Sequence, residues 1–194
     1  MRIKYNVFLF IFFIQPSLHV YGAHPDLIQI NRSRHNINQT GMLTLGSWAL
    51  ANLAGSGVMM AHESGEKKYF HQMNVYWNIV NIGIAGLGYF GSHPQPDSLS
   101  LAESLREQVN IEKILLFNTG LDLVYITVGI YLLDKQNADE QMKGYGRSLI
   151  VQGSFLLIFD AVLYLIHNKN NDRYFDIFEE LSLSHNGISL RINF

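Results

Sequence analysis

The sequence contains no cysteine among its 194 residues, and this absence excludes several classes of function. Without thiols the chain forms no disulfide, binds no iron–sulfur cluster or cysteine-ligated metal, and has no thiolate nucleophile. The chain also has no large excess of charge, since 14 basic and 16 acidic residues give a net charge of −2. Nucleic-acid-binding proteins need a strongly basic surface. We therefore expect no nucleic-acid partner, and the length is that of one domain.

Lysine and arginine are absent from four apolar stretches of about 20 residues each. At a rise of about 1.5 Å per residue, a helix of this length crosses the hydrocarbon core of a bilayer, which is about 30 Å thick. The four stretches are residues 41–61, 71–91, 114–133 and 148–166. They predict an all-α membrane protein, a four-helix transmembrane bundle over residues 41–168 whose principal partner is the lipid bilayer.

The first 40 residues have the pattern of an exported protein. A basic start, an apolar run of about eight residues and the small pair Gly22-Ala23 predict a secretory signal peptide over residues 1–22. An uncleaved N-terminal anchor is the alternative interpretation. Residues 23–40 are polar and are then an extracytoplasmic N-terminal segment. With four crossings, the C-terminus also lies outside, and the bacterial inner membrane is the expected location.

The connections carry recognisable stop and start signals. Pro94 and Pro96 end the second helix, because proline lacks the amide hydrogen and disfavours helical geometry before it. Ser100 and Glu103 then form a capping-box sequence that starts a third helix. Residues 169–194 are expected to be an extracytoplasmic tail. Within it, alternating apolar and polar residues around Asn186-Gly187 predict a short C-terminal β-hairpin.

Polar residues recur inside the apolar stretches at helical spacing. Asn74, Asn78 and Asn81 follow the i, i+4, i+7 pattern that places three side chains on one side of a helix. The full set of candidate residues in this polar intramembrane layer is Asn52, Asn74, Asn78, Asn81, Asn118, Asp122, Gln152 and Asp160. Counted from the outer face, Asn52, Asn81, Asp122 and Asp160 are expected at one level near the middle of the membrane.

Two interpretations of this layer remain open. The side chains are either structural, with each interhelical hydrogen bond contributing on the order of 0.6 to 2 kcal/mol, or they form a proton, cation or small polar-ligand site. In the second case Asp122 and Asp160 are the groups that switch, because carboxylates inside a membrane are costly and commonly functional. No lysine or arginine inside the stretches neutralises them.

Metal and catalytic patterns are not recognisable. His62, His71, His93 and His167 lie at predicted helix ends, and no two share a helix at ligand spacing. His62-Glu63 lacks the second histidine of the H-E-x-x-H zinc motif. We therefore predict no metal, no cofactor and no catalytic residue, and we do not expect an enzyme. Small residues of the first stretch, such as Gly46 and Gly55, favour close helix packing, either within a homo-oligomer or with another membrane protein.

Three segments of the chain, residues 69–91, 111–133 and 144–167, resemble an uncharacterised family of bacterial membrane proteins, a domain of unknown function. Its members share a signal peptide, four spanning helices and a short glycine-containing β-like tail. The resemblance covers nearly the whole chain and implies a bacterial envelope protein without an assigned activity. The leading interpretation is a structural or accessory protein of the cell envelope. The alternative is a small transporter or a proton- or cation-responsive protein that uses Asp122 and Asp160.

Overall fold

Four long helices build the protein in its computed structural model, which describes residues 25–91 and 96–184. They are α1 (Pro25–His62), α2 (Gly65–Gly91), α3 (Leu101–Asp134) and α4 (Glu140–Ser184), with one 3₁₀ turn at Pro96–Ser98. The prediction of an all-α fold with four principal helices is confirmed. The predicted signal peptide lies outside the described residues, so it stays a prediction.

The helix boundaries follow from local chemistry. Pro25 is the first residue of α1, where a missing amide hydrogen costs nothing. The capping box at α3 is present, since Ser100 Oγ accepts the amide of Glu103 and the Glu103 carboxylate accepts the amide of Ser100 at 2.9 Å. Asp139 caps the start of α4, because its Oδ1 accepts the backbone amide of Met142 at 2.7 Å. Gly65 opens α2 with φ at +60°, a conformation that favours glycine.

The helices pack as two hairpins, α1 against α2 and α3 against α4, and α2 also lies along α4. The second hairpin is closest at Gly129 and Gly146, where a Cβ on Gly129 would lie 2.7 Å from the backbone oxygen of Gly146. Gly144 touches the α2 backbone near Glu66 in the same way. Glycine lets helices come this close. Gly55, one of the small residues that the sequence analysis named, makes no such close contact, since a Cβ there would meet nothing within 4 Å.

Two helices, α3 and α4, are long and apolar enough to cross a membrane by length and composition. Only 17% and 33% of their most apolar 18-residue windows are buried, so most of this apolar surface lies on the outside of the described structure. These two candidate spans contain the stretches 114–133 and 148–166 and suggest that the protein associates with a membrane. The average composition of α1 and α2 is too polar to meet the same criterion.

One end of the molecule is a smaller helical assembly, which we call the head. It consists of the first part of α1, the start of α3 and the last part of α4, roughly residues 25–40, 101–113 and 167–184. Leu27 and Ile30 pack there against Tyr174 and Ile177 in a small hydrophobic core. The head includes residues 25–40, which belong to the segment that the sequence analysis described only as polar.

The C-terminal β-hairpin is not supported. α4 continues to Ser184, so the first part of the predicted tail is helical, and the described ranges contain no β-strand. The end of α4 is helical where Tyr174 and Ile177, three residues apart, share one helical face and bury it against α1. Asn186-Gly187, the turn of the predicted hairpin, lies outside the described residues.

Candidate functional site

Gln152 lies at the centre of a hydrogen-bond network that joins three helices. Its amide nitrogen donates to Oδ1 of Asn52 on α1 at 3.2 Å and to Oδ1 of Asn74 on α2 at 2.9 Å. Its carbonyl oxygen accepts the indole N–H of Trp48 at 3.0 Å. The side chain of Gln152 is completely buried, so these bonds form away from solvent. Gln152 thereby ties α4 to both helices of the first hairpin.

The asparagines of α2 extend this network along one face of the helix. Oδ1 of Asn74 also accepts the hydroxyl of Ser148 on α4 at 2.7 Å. The amide of Asn78 donates to the backbone oxygen of Asn74 at 2.8 Å, and the amide of Asn81 donates to Oδ1 of Asn78 at 3.4 Å. All three asparagines are buried. The i, i+4, i+7 spacing thus places them on one buried face of α2, which bonds to α4 through Asn74.

A second polar group is a pair of carboxyl groups. Asp122 on α3 and Asp160 on α4 are both buried, and their side chains are close enough to share a hydrogen bond. A bond between two carboxyl groups needs a proton on one of them, because two bare carboxylates in contact repel each other. Oδ2 of Asp122 has no hydrogen-bond partner among the described residues. The pair therefore suits a shared proton or a small cation.

The two groups lie at different levels of the bundle. Asp160 follows Gln152 by eight residues, which corresponds to about 12 Å along a helix. Asn52 bonds to Gln152 at the first level, whereas Asp122 meets Asp160 at the second. The sequence analysis expected Asn52 at the level of the aspartates. Counting from the ends of the apolar stretches assumed that all four stretches end at one height, whereas the contact of Asn52 with Gln152 sets the register of α1 against α4.

Asn118 is the one candidate that joins neither group. Its side chain is half-buried on α3, and it forms no hydrogen bond within the part of the chain that the structure describes. The spacing of Asn118 from Asp122 places both residues on one face of α3. This spacing does not indicate whether a side chain of another helix lies opposite Asn118.

The head contains a buried polar cluster that the sequence analysis missed. Arg34 donates to the backbone oxygen of Ser104 at 2.7 Å and to the hydroxyl of Tyr174 at 3.3 Å. Asn31 donates to the Ser104 hydroxyl at 2.9 Å. Three helices thus meet at residues far apart in sequence. The available signal was the helical spacing of Asn31 with Arg34, which places both on one face of α1.

His167 lies beside this cluster and is also fully buried. Its backbone oxygen accepts the amide of Gln108 at 2.6 Å, while neither ring nitrogen has a partner within the described ranges. Burial lowers the pKa of His167 to about 4, and the nearby charge of Arg34 acts in the same direction. The imidazole is therefore neutral at physiological pH. Burial likewise raises the pKa of Tyr174 above its ordinary value.

A metal site is not apparent in the described ranges, since no three histidine, aspartate or glutamate side chains lie close enough to share an ion. Apart from the Arg34 guanidinium and the His167 imidazole of the head, the buried polar groups described above are amides, hydroxyls and one carboxyl pair. Amides and hydroxyls at hydrogen-bond distance hold helices together. Within the apolar stretches, the carboxyl pair is the part of the interior whose charge can change.

A protein-family model described as "Family of unknown function (DUF6992)" matches residues 44–161, which is more than half of the chain. The chain belongs to this family. The DUF6992 region contains the Gln152 network and both carboxyl groups, whereas the α1 part of the head lies before it. No curated protein and no solved structure matches the chain. The expected membership of a family without an assigned activity is confirmed.

Proposed function

We propose that this protein is an integral membrane protein of the bacterial cell envelope, that all four helices cross the inner membrane, and that its role there is structural or accessory. The observation that carries the proposal is the inverted distribution of polarity across the bundle. Amide and carboxyl side chains are buried in the interior beside smaller apolar clusters, and many large apolar side chains are exposed on the outside. A domain in water arranges these groups in the opposite way.

The exposed fractions make this inversion concrete. On α2, Leu87 is 79% and Phe90 is 84% exposed, while Asn78 is 0% exposed on the same helix. On α3, Phe117 is 68% exposed. Contiguous apolar surface of this kind marks a membrane or protein interface. A bilayer covers all four sides of the bundle, which a single protein partner does not.

The inversion also accounts for the modest hydropathy of α1 and α2. Their asparagines lower the average hydropathy, yet Asn52 and Asn74 bond to Gln152, and Asn78 and Asn81 are buried and bond within α2. The outward residues of α1 include exposed Leu43 and Leu50, and those of α2 include Val80. Polar side chains are tolerated in a membrane helix when they are hydrogen-bonded inside the bundle and are not exposed to lipid. We therefore place all four helices in the membrane.

The proposed structural role follows from the open faces of the bundle. Gly55 and Gly57 on α1 face open space, since a Cβ at either position would meet no atom within 4 Å. Another helix can therefore approach the α1 backbone closely there. This face favours association with a second copy or another membrane protein. The internal network keeps the bundle rigid while it does so.

Fractionation together with topology mapping tests the proposal. The full chain is expressed in a bacterium with a C-terminal reporter enzyme that is active only outside the cytoplasm. We expect the protein to stay in the membrane pellet after alkaline carbonate extraction, with a processed N-terminus and an active reporter. Release by carbonate contradicts membrane integration. An inactive reporter with an intact membrane pellet contradicts four crossings.

The Asp122–Asp160 pair favours a second candidate function, a proton- or cation-responsive membrane protein or small transporter. The pair lies in the interior without a basic partner, and one carboxyl oxygen lacks a hydrogen bond within the described ranges. Infrared spectroscopy of the protein in lipid resolves the stretching band of a protonated carboxyl. We expect that band to disappear in Asp160→Asn and to persist in the head variant Asp172→Asn. A band that never responds to pH or to added cations leaves only the structural role.

A further inference from the structure

A long groove of about 780 Å³ runs between α1 and α4 on the outside of the bundle. Its α4 wall is apolar from Phe155 through Phe159 and Leu163 to Ile166. Its α1 wall changes from Gly41 and small polar residues to the polar side chains of the head. The volume lies within the range of small-molecule and cofactor sites, about 300 to 1,000 Å³.

The polar end of the groove has one uncompensated positive charge. Arg32 and Arg173 both line this end. Arg32 is already neutralised, because its guanidinium forms two bonds to the carboxylate of Asp97, at 2.8 and 2.5 Å. Arg173 is half-buried and has no ion pair or hydrogen bond among the described residues, and no acidic residue lines the groove. Arg173 therefore attracts an anion to the end of an apolar channel.

The groove has the length of one lipid leaflet. Phe155 and Ile166 are eleven residues apart, about 16 Å along a helix, and half of a hydrocarbon core is about 15 Å. Arg173 follows Ile166 by seven residues, which is about 10 Å further out and at the depth of the headgroups. An acyl chain beside Phe155 to Ile166 thus leaves its headgroup near Arg173.

The inner end of the groove is preorganised. The ring of Phe155 stacks on that of Trp48, with ring centroids 3.9 Å apart. The Trp48 indole donates to Gln152, so the buried network fixes this aromatic floor. A surface that is ordered before binding loses less entropy when a flexible chain docks on it.

We propose that this groove binds one acyl chain of an anionic phospholipid of the outer leaflet, whose phosphate is held by Arg173. The inference rests on the proposed membrane location, because only then does the groove open into a leaflet. Charge complementarity selects the ligand: an apolar channel that ends at a lone guanidinium fits an anionic amphiphile better than a zwitterionic or neutral one. Guanidinium binds phosphate oxygens through paired N–H donors.

Native mass spectrometry of the full chain in mild detergent tests the inference. The protein is titrated separately with phosphatidylglycerol and with phosphatidylcholine that carry identical acyl chains. We expect one phosphatidylglycerol to bind about fivefold more tightly than phosphatidylcholine, the factor that one basic residue contributes near a lipid phosphate. Arg173→Gln should remove this preference. The matched control Lys143→Gln, which changes an exposed charge at the opposite end of α4 and outside the groove, should retain it.

A second pair of variants tests the apolar part of the site. Ile158 lines the groove, is exposed and tolerates enlargement, so Ile158→Trp should block the channel and weaken binding of both lipids. Leu165→Trp, at an exposed position outside the groove, is its control. If wild type, like Arg173→Gln, binds phosphatidylglycerol and phosphatidylcholine with equal affinity, the inference is overturned. Arg173-dependent binding of inorganic phosphate alone also overturns it, in favour of a free-anion site. Carbonate extraction of the same preparations shows separately whether the membrane location itself fails.

Discussion

Replacing Gln152 with leucine removes the side chain that joins α4 to α1 and α2. Three interhelical bonds are lost, to Asn52, Asn74 and the Trp48 indole. Measured bonds of this kind in membrane bundles average about 0.6 kcal/mol and reach about 1.7 kcal/mol. The new leucine gains little in return, because a lipid environment is as apolar as the interior it enters. We expect Gln152→Leu to lower the free energy of unfolding by about 2 to 4 kcal/mol.

The measurement is reversible unfolding in mixed detergent micelles, followed by far-ultraviolet circular dichroism as the fraction of denaturing detergent increases. Val151→Leu is the matched control, since Val151 is the adjacent residue on α4 and faces outward. We expect the control to change stability by less than about 0.5 kcal/mol. If Gln152→Leu has the same free energy of unfolding as the control, the network does not hold the three helices together and the structural role proposed for it is refuted.

Three further perturbations test separate parts of the fold. Gly129→Ala should destabilise the α3–α4 hairpin by about 1 to 3 kcal/mol, because its methyl group meets the backbone of Gly146. Gly120→Ala on the same helix meets no atom within 4 Å and should not destabilise the protein; thermal unfolding measures both. Ser100→Ala should cost about 1 kcal/mol in the same assay through loss of the capping box, and an unchanged midpoint would contradict that role. The pKa of His167 is lowered to about 4, so its imidazole takes up a proton near pH 6.5 only when the chain unfolds; the melting temperature should fall from about pH 6.5 towards pH 4, and His167→Phe should remove this part of the pH dependence.

The sequence predicted the helical elements well because their signals are local. Apolar stretches, the capping box at Ser100 and the stop at Pro94 each act within a few residues, and four principal helices follow from them. The β-hairpin predicted around Asn186-Gly187 is not supported, because α4 continues to Ser184, and its turn lies outside the described residues. The length of α4 was not readable from local signals, since Tyr174 and Ile177 pack on Leu27 and Ile30 of α1, which are distant in sequence.

The polar interior was predictable in part. Helical spacing placed Asn74, Asn78 and Asn81 on one face, and the structure shows that face buried and bonded to α4 through Asn74. Spacing within one helix carries no information about the partner helix, so the meeting of Gln152 with Asn52 was not foreseen. The head cluster was missed for the same reason, since Arg34 meets Ser104 and Tyr174 only after three helices have packed.

Spin-label accessibility along α2 in lipid nanodiscs tests most directly whether this inverted bundle spans a bilayer. The chain has no cysteine, so each introduced cysteine carries the only label. We expect labels at the exposed positions Val80 and Ile84 to be relaxed strongly by oxygen, which dissolves in lipid, and weakly by a water-soluble nickel complex. A label at buried Asn78 should be protected from both reagents. Strong relaxation of Val80 and Ile84 by the nickel complex would show that α2 faces water and would contradict the four-helix membrane arrangement.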